Sequence, residues 1–289
     1  MDPEYLTTAE AAAHLRVKER TLYDLVARRA VPCSRVTGKL IFPRRLLDQW
    51  VEANVEAPGA ALGAPPPIVA GSSDPLLEWA LRESGSGLAT LFEGSEAGLR
   101  RFEARGAVAI GLHMIDERGE YNMAARRSLA GVFDLTMVQF ARRTQGLIVA
   151  PGNPLDLTSL RGAAQAGARF AVRQPGSGSA LLTQRLLAEA GLTPEDIAVA
   201  AVTRTEDDAA VADGRADCAV AIAAAARRLR LGFAPLHVER FDLGFRRRDF
   251  FEPALHKFFD FLRSAEFAAR AAQLDGYDVS ETGRVEFNA

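Results

Sequence analysis

Eleven consecutive residues, Ala57-Pro58-Gly59-Ala60-Ala61-Leu62-Gly63-Ala64-Pro65-Pro66-Pro67, carry no charge and no apolar periodicity, and their prolines interrupt both helix propagation and strand pairing. A chain broken in this way cannot run one continuous core across the break. The expected organisation is a first domain over 1–56, a tether over 57–67 ending in a stiff polyproline stretch, and a second domain over 68–289. With 289 residues, 48% hydrophobic and 25% charged, the chain has material for two or three folded units, which argues against disorder and against a coiled-coil rod. No run of about 18 apolar residues is present. Met1-Asp2-Pro3-Glu4 lacks the basic and then apolar character of a secretory leader, so the expectation is a cytoplasmic protein without membrane association. Cys33 and Cys218 are too few and too far apart for a disulfide framework, and His14, His113, His237 and His256 show no metal-ligand spacing, so no metal site and no cofactor is expected.

A net charge of −2 and a pI near 6.2 argue against a chain that coats nucleic acid along its whole length. The charge is unevenly placed, however. Between His14 and Arg45 stand nine basic residues and two acidic ones, the asymmetry of a nucleic-acid module joined to something else. Thr7-Thr8-Ala9-Glu10 has capping-box spacing and opens a helix over Ala9–Leu15. Arg16-Val17-Lys18 leaves room only for a tight corner before a second helix, Arg20–Arg28, with Leu22, Leu25 and Val26 on one face. Two short helices at such a corner predict a helix-turn-helix. Ser34-Arg35-Val36 and Leu40-Ile41-Phe42 flank Thr37-Gly38-Lys39 as a hairpin wing, and Pro43 precedes a last helix over Arg44–Glu52 that covers the small core with Leu46, Leu47 and Trp50.

The string LTTAEAAAHLRVKERTLYDLVARRAVPCSRVTGKLIFPRRLLDQWVEAN resembles the excisionase-type winged helix-turn-helix domains related to the MerR class. The resemblance implies that the helix beginning near Lys18 reads bases and the hairpin contacts the DNA backbone. Arg20, Thr21 and Arg28 are candidate base readers; Lys18, Arg29, Arg35, Lys39 and Arg44 are candidate phosphate contacts that position the module. Lys18 departs from the serine usual at that cap. It cannot accept from the helix amides, so either the helix start frays or the lysine serves as a phosphate contact. The plainer alternative is that the basic residues form a solvated face.

Beyond Pro67, short apolar strands alternate with amphipathic helices, which implies parallel α/β layers in two lobes, the second over about 146–230. Three strand-to-helix corners share one chemistry: Gly71-Ser72-Ser73-Asp74, Gly94-Ser95 and Gln174-Pro175-Gly176-Ser177-Gly178-Ser179. Each places small residues and hydroxyls at a helix N-terminus, where unpartnered backbone donors and the helix dipole favour an anion. Corners of this composition also arise as plain helix caps. Ligands in open α/β sheets nevertheless bind beyond the carboxyl ends of the strands, where these corners lie.

The strings GSSDPLLEWAL, FEGSEAGL, AIGLHMIDERGEYN, RRTQGLIVAPGNPL, VRQPGSGSALL, RTEDDAAVADGRADCAVAI and FAPLHVERFDL resemble the periplasmic-binding-protein-like domain found behind excisionase-type modules and at the C-terminus of some molybdopterin molybdenum-transferases. The fold implied is α/β: an N-terminal winged helix-turn-helix plus a two-lobed, type II binding-protein-like domain. Such domains are similar to binders of molybdate and tungstate, which hold a tetrahedral oxyanion between lobes. By that resemblance Ser72, Ser73, Ser95, Ser177 and Ser179 are ligand contacts, His113, Tyr121 and Asn122 come from a cleft loop, Arg173 counters the anion's charge and Thr205 completes a wall. His113 equally suits a bond to a backbone carbonyl, Asn122 a turn, and Asp74 a helix start.

No nucleophile elbow, Walker loop, dinucleotide fingerprint or His-Glu-x-x-His helix is present, so no enzyme is expected. The reading is a ligand-responsive transcriptional regulator whose partners are a double-stranded DNA operator and a small anion. It is expected to pair as a homodimer on two half-sites. The apolar tail Glu252–Leu274, with Leu255, Phe258, Phe259, Leu262 and Phe267, fits either lobe packing or a dimer interface. Alternatives are a sensor or carrier of an organic ligand and an architectural, excisionase-like DNA bender.

Overall fold

The computed structural model describes residues 4–36, 38–53, 64–132, 134–204 and 207–289. The chain divides into two compact units, Met1–Gly63 and Ala64–Ala289. Tether residues 57–63 lie outside the described residues, and Ala64–Pro67 belong to the second unit. There Pro65 is buried, and the Pro67 carbonyl accepts from the Ala89 amide at 2.8 Å.

The first unit runs β1 (Tyr5–Leu6), α1 (Thr8–His14), α2 (Glu19–Ala27), β2 (Ser34–Val36), β3 (Lys39–Pro43) and α3 (Arg44–Ala53). The capping box forms: the Glu10 carboxylate accepts from the Thr7 amide at 2.8 Å, and Thr7 Oγ1 accepts from the Glu10 amide at 3.3 Å. Arg16 adopts a left-handed conformation (φ 55°) at the corner, where the Val17 amide returns to the Ala12 carbonyl. The wing pairs Ser34 with Ile41, Arg35 with Leu40 and Val36 with Lys39. Strand β1, absent from the periodicity reading because it is only two residues long, adds a third strand against β3. Leu6, Ala11, Ala12, Leu22, Val26, Val31, Phe42 and Leu47 are buried together as this unit's core.

The second unit begins with β4 (Ile68–Gly71), α4 (Pro75–Glu83), β5 (Ala89–Leu91), α5 (Ser95–Glu103), β6 (Ala109–Leu112) and α6 (Met123–Ser128), followed by the long strand β7 (Leu135–Val149). The second lobe holds α7 (Leu160–Gln165), β8 (Arg169–Arg173), α8 (Gly178–Glu189), β9 (Ala198–Thr203), α9 (Asp207–Ala212), β10 (Cys218–Ile222) and α10 (Ala223–Arg228). Strand β11 (Gly232–Arg246) returns to the first lobe, where α11 (Pro253–Phe261), α12 (Ala265–Gln273), β12 (Tyr277–Asp278) and β13 (Val285–Asn288) complete the chain.

One mixed sheet carries both lobes, in the order β5-β4-β6-β11-β7-β10-β8-β9. The parallel expectation holds within each lobe, β4 with β5 and β6, and β8 with β9 and β10. What joins the lobes is different: β7 and β11 are antiparallel, 15 residues each, and span both lobes. At about 3.3 Å per residue each is roughly 50 Å long. Only the end of β7, from Gln145 on, was legible as a strand, because the part before it carries the buried polar residues Gln139 and Arg143, and the partners of Arg143 come from the opposite strand and from the start of α4. In the first lobe Gly71 and Gly98 bring α5 onto β4: a Cβ at Gly98 would sit 2.4 Å from the Gly71 Cα. Leu255, Phe258, Phe259, Leu262 and Phe267 of the tail are buried in this lobe's core beside Phe140, Phe241 and Phe245. No described helix is long and apolar enough to cross a membrane.

Candidate functional site

A cleft of about 1020 Å³ opens between the lobes. Its lining includes Ser72 and Ser73 from the first corner, Gly94 from the second, and Ser177, Gly178 and Ser179 from the third. Three sequence-distant corners thus face one space. They differ in what they offer. The N-terminus of α4 is closed by Asp74, whose carboxylate accepts from the Leu77 amide at 2.8 Å. Gly94, at φ 94° and ψ 167°, caps α5 without any side-chain bond, a backbone conformation that glycine alone adopts readily. Ser177 caps α8 by accepting from the Ala180 amide at 3.2 Å, and it donates to the Gln174 carbonyl at 2.9 Å.

The remaining expected ligand residues divide. Ser95 is fully buried behind the wall and shares a 2.7 Å hydrogen bond with Ser72, so it positions that hydroxyl rather than lining the cleft. His113 and Arg173 line it. The His113 ring bonds Glu239 at 3.0 Å through Nδ1, not a backbone carbonyl, and lies against Gly178 of the opposite lobe. Tyr121 and Asn122 are not brought to the lining. The Tyr121 hydroxyl bonds His237 at 2.8 Å, and burial, with the Glu239 charge, raises its pKa. Asn122 is a left-handed turn residue (φ 60°) whose side chain accepts from the Met114 amide and donates to Asp242. Thr205 lies outside the described residues.

Sequence reasoning missed Arg143, Gln145, Gln174, Arg204, Arg227, Arg228 and Arg270, all of which line the cleft. With Arg173, six arginines face four carboxylates, Asp74, Glu78, Glu93 and Asp275, among the described lining residues. Arg143 is central: its guanidinium is buried, donates to Asp74 at 2.8 Å and to Glu239, and lies 4.6 Å over the Phe241 ring. Burial alone would push the Glu239 carboxyl up, but the Arg143 charge, with His113 and Gln145, holds it down at about 2. The Tyr277 hydroxyl donates to Asp74 at 2.6 Å, so the network reaches from cleft to C-terminal segment. The available signal was charge inside two otherwise apolar stretches, Arg142-Arg143 and Glu239-Arg240; that Arg143 stands directly opposite Glu239 is visible only from the strand register. Among the described residues no group of three or more His, Cys, Asp or Glu gathers as a metal site.

In the first unit Lys18, Arg20, Thr21, Arg28, Arg29, Arg35 and Lys39 are exposed, and Arg44 is half-buried at the start of α3. Lys18 caps α2 with no side-chain bond, as its chemistry requires. Arg28 Nε reaches back to the Asp24 carbonyl at 3.3 Å.

A binding-protein-like unit behind a helix-turn-helix unit is therefore the class that this fold and cleft define. Residues 77–263 match the PBP superfamily domain and residues 5–55 a helix-turn-helix domain of the excisionase type, and the chain belongs to the PBP superfamily. It is 27% identical to the uncharacterized protein YvgK of Bacillus subtilis (strain 168), across 96% of both chains. Among solved structures it is similar to PEB3 of Campylobacter jejuni, solved with bound L-phospholactate (TM-score 0.53, 14% identity, 73% of this chain and 98% of that one). It is also similar to a Clostridium perfringens substrate-binding protein assigned to phosphate ABC transport, solved with bound phosphate (TM-score 0.53, 14% identity, 71% and 96%). At these identities the likeness concerns the fold.

Proposed function

We propose that the chain is a non-catalytic, ligand-responsive transcriptional regulator of the cytoplasm, in which the second unit closes on a small oxyanion and thereby alters how the first unit binds its operator. The observation that carries this reading is the convergence of three small-residue corners and six arginines on one cleft. Backbone amides at an open helix start and guanidinium groups are donors suited to a fixed negative charge. Molybdate and tungstate, to which the sequence resemblance points, satisfy that donor set as tetrahedral dianions. Phosphate and L-phospholactate, bound in the similar structures, extend it to phosphate groups. A second reading, an organic molecule bearing the oxyanion, is favoured by the cleft's size, since about 1020 Å³ matches the upper end of the range for organic ligands, roughly 300–1,000 Å³. Relationship of the first unit to the MerR class and pairing as a homodimer on two half-sites are part of the same reading.

Calorimetry on the full chain with molybdate, tungstate, sulfate and phosphate tests the ligand. Heat with none of them eliminates the oxyanion. Coupling between ligand and operator should be reciprocal and about 1–3 kcal/mol. On the DNA side, a salt-dependent operator shift should be lost on combined Arg20→Ala and Arg28→Ala replacement. Unchanged binding by that variant refutes α2 as the reading helix.

A further inference from the structure

A fourth strand-to-helix corner opens on the cleft, and its chemistry is the opposite of the other three. Where β10 ends and α10 begins, the run from Ala221 to Ala226 holds Ile222 and five alanines, methyl groups in place of glycine and serine. Ile222 caps α10 with no side-chain bond, and Ala221, Ile222, Ala224 and Ala225 line the cleft. Strand β10 is the neighbour of β8 in the sheet, so this apolar corner lies beside the Ser177–Ser179 corner, about 4.8 Å away by the spacing of paired strands. The first lobe answers it in kind. Leu274, at the end of α12, also lines the cleft, and the two residues after it meet α10: Asp275 bonds Arg227 at 2.5 Å, and a Cβ on Gly276 would stand 2.9 Å from the Ala223 Cβ. Two of the arginines at this end are taken up by the protein itself, Arg227 by Asp275 and Arg270 by the Trp79 ring and by Gln273. Ile222, Ala225 and Leu274 are only half-buried, so apolar surface remains open inside a concave space, and its removal from water is favourable.

We propose that the ligand is an amphiphilic organic anion, whose charged group meets the three small-residue corners and whose short aliphatic or aromatic body lies on the fourth, against Ile222, Ala225 and Leu274. This rests on the oxyanion reading above and goes further, in assigning a second subsite and the chemistry it takes. A bare tetraoxoanion fills the first subsite alone and leaves the apolar one wet.

The test compares ligands that share a head group and differ in the body, by calorimetry on the full chain: inorganic, methyl and butyl phosphate in one series, acetate and pentanoate in the other. Each fully buried methylene tightens binding by about fourfold, so the added carbons of butyl phosphate over methyl phosphate, or of pentanoate over acetate, should give at least about tenfold on a partly covered surface. Ile222→Ser gives the fourth corner the character of the other three and supplies α10 with a side-chain cap. In that variant the preference for the longer chain should shrink by at least about threefold while methyl phosphate affinity does not fall, and Leu274→Ser, on the opposite wall, should do the same. Equal affinity for the short and long members of both series overturns the proposal, and that comparison needs only the unaltered protein. A chain-length preference untouched by both variants places the body elsewhere and overturns the assignment of the subsite. Heat with inorganic phosphate but no gain with chain length leaves the oxyanion reading standing without the second subsite, whereas no binding by any ligand of either series removes both.

Discussion

Replacing Gly178 by alanine tests one of the contacts between the lobes, that of α8 with the His113 ring. Gly178 opens α8, where alanine suits the helix by up to about 1 kcal/mol over glycine, so the backbone raises no objection. The obstacle lies across the cleft. A Cβ at position 178 would stand 2.7–2.8 Å from three atoms of the His113 ring, where ordinary contact begins at 3.4 Å. The ring cannot easily retreat: it is 5% exposed, bonded to Glu239 at 3.0 Å, and stacked on Phe241 with centroids 5.6 Å apart. The added methyl must therefore push α8 and its lobe away. Overpacking of this kind costs about 1–3 kcal/mol. With the midpoint of that cost, about 2 kcal/mol, and the whole helix gain subtracted, roughly 1 kcal/mol falls on the closed arrangement, which is a loss of about 5-fold in affinity, rising to about 30-fold at the upper end. Calorimetry of Gly178→Ala, with whichever oxyanion binds the unaltered protein, measures it. Thermal unfolding without ligand should change little, since neither lobe's core is touched. An affinity within about twofold of the original would refute the idea that His113 and α8 meet as part of ligand capture.

Arg143→Met should destabilise the second unit by about 3–5 kcal/mol in urea unfolding, because it strands Asp74 and Glu239, both buried, without their shared cation. The pH dependence follows from Glu239, whose folded pKa of about 2 lies below its ordinary 4.5. A depressed value means stability that is fully present above about 4.5 and is lost as pH falls toward 2, roughly 3 kcal/mol in all. Glu239→Gln should show a correspondingly shallower loss of stability between pH 5 and 2.5, measured by denaturant titration. In the first unit, Lys18→Ser supplies the hydroxyl cap that α2 lacks and should raise stability by about 0.5–2 kcal/mol, read as a higher Tm. The same variant should weaken DNA binding and reduce its salt slope if the lysine touches phosphate; an unchanged slope assigns it to solvent.

The helix-turn-helix was almost wholly readable because its signals are local. The Thr7–Glu10 capping box, the corner before α2 and the wing each lie within a few residues of the partners that satisfy them, and the apolar period of α2 and α3 marked the buried Leu22, Val26 and Leu47, whereas Leu46, expected in the core, is 43% exposed. The strand-to-helix corners of the second unit were readable for the same reason, down to Asp74 as a helix-start carboxylate. Asn122 shows the limit of such reading: a turn asparagine next to a cleft loop looks alike whether its side chain meets a ligand or, as here, Met114 and Asp242.

Composition and spacing by themselves determined that the chain would break into a basic DNA-type module and an α/β unit, and which corners carry small residues. Only tertiary structure decided that those corners face one another, that β7 and β11 run through both lobes, and that Arg143 answers to Asp74 and Glu239. The physical reason is the range of the forces involved. Caps, turns and amphipathic periods are satisfied within a few residues of chain, whereas a buried charge is defined by partners brought to it from 69 and 96 residues away.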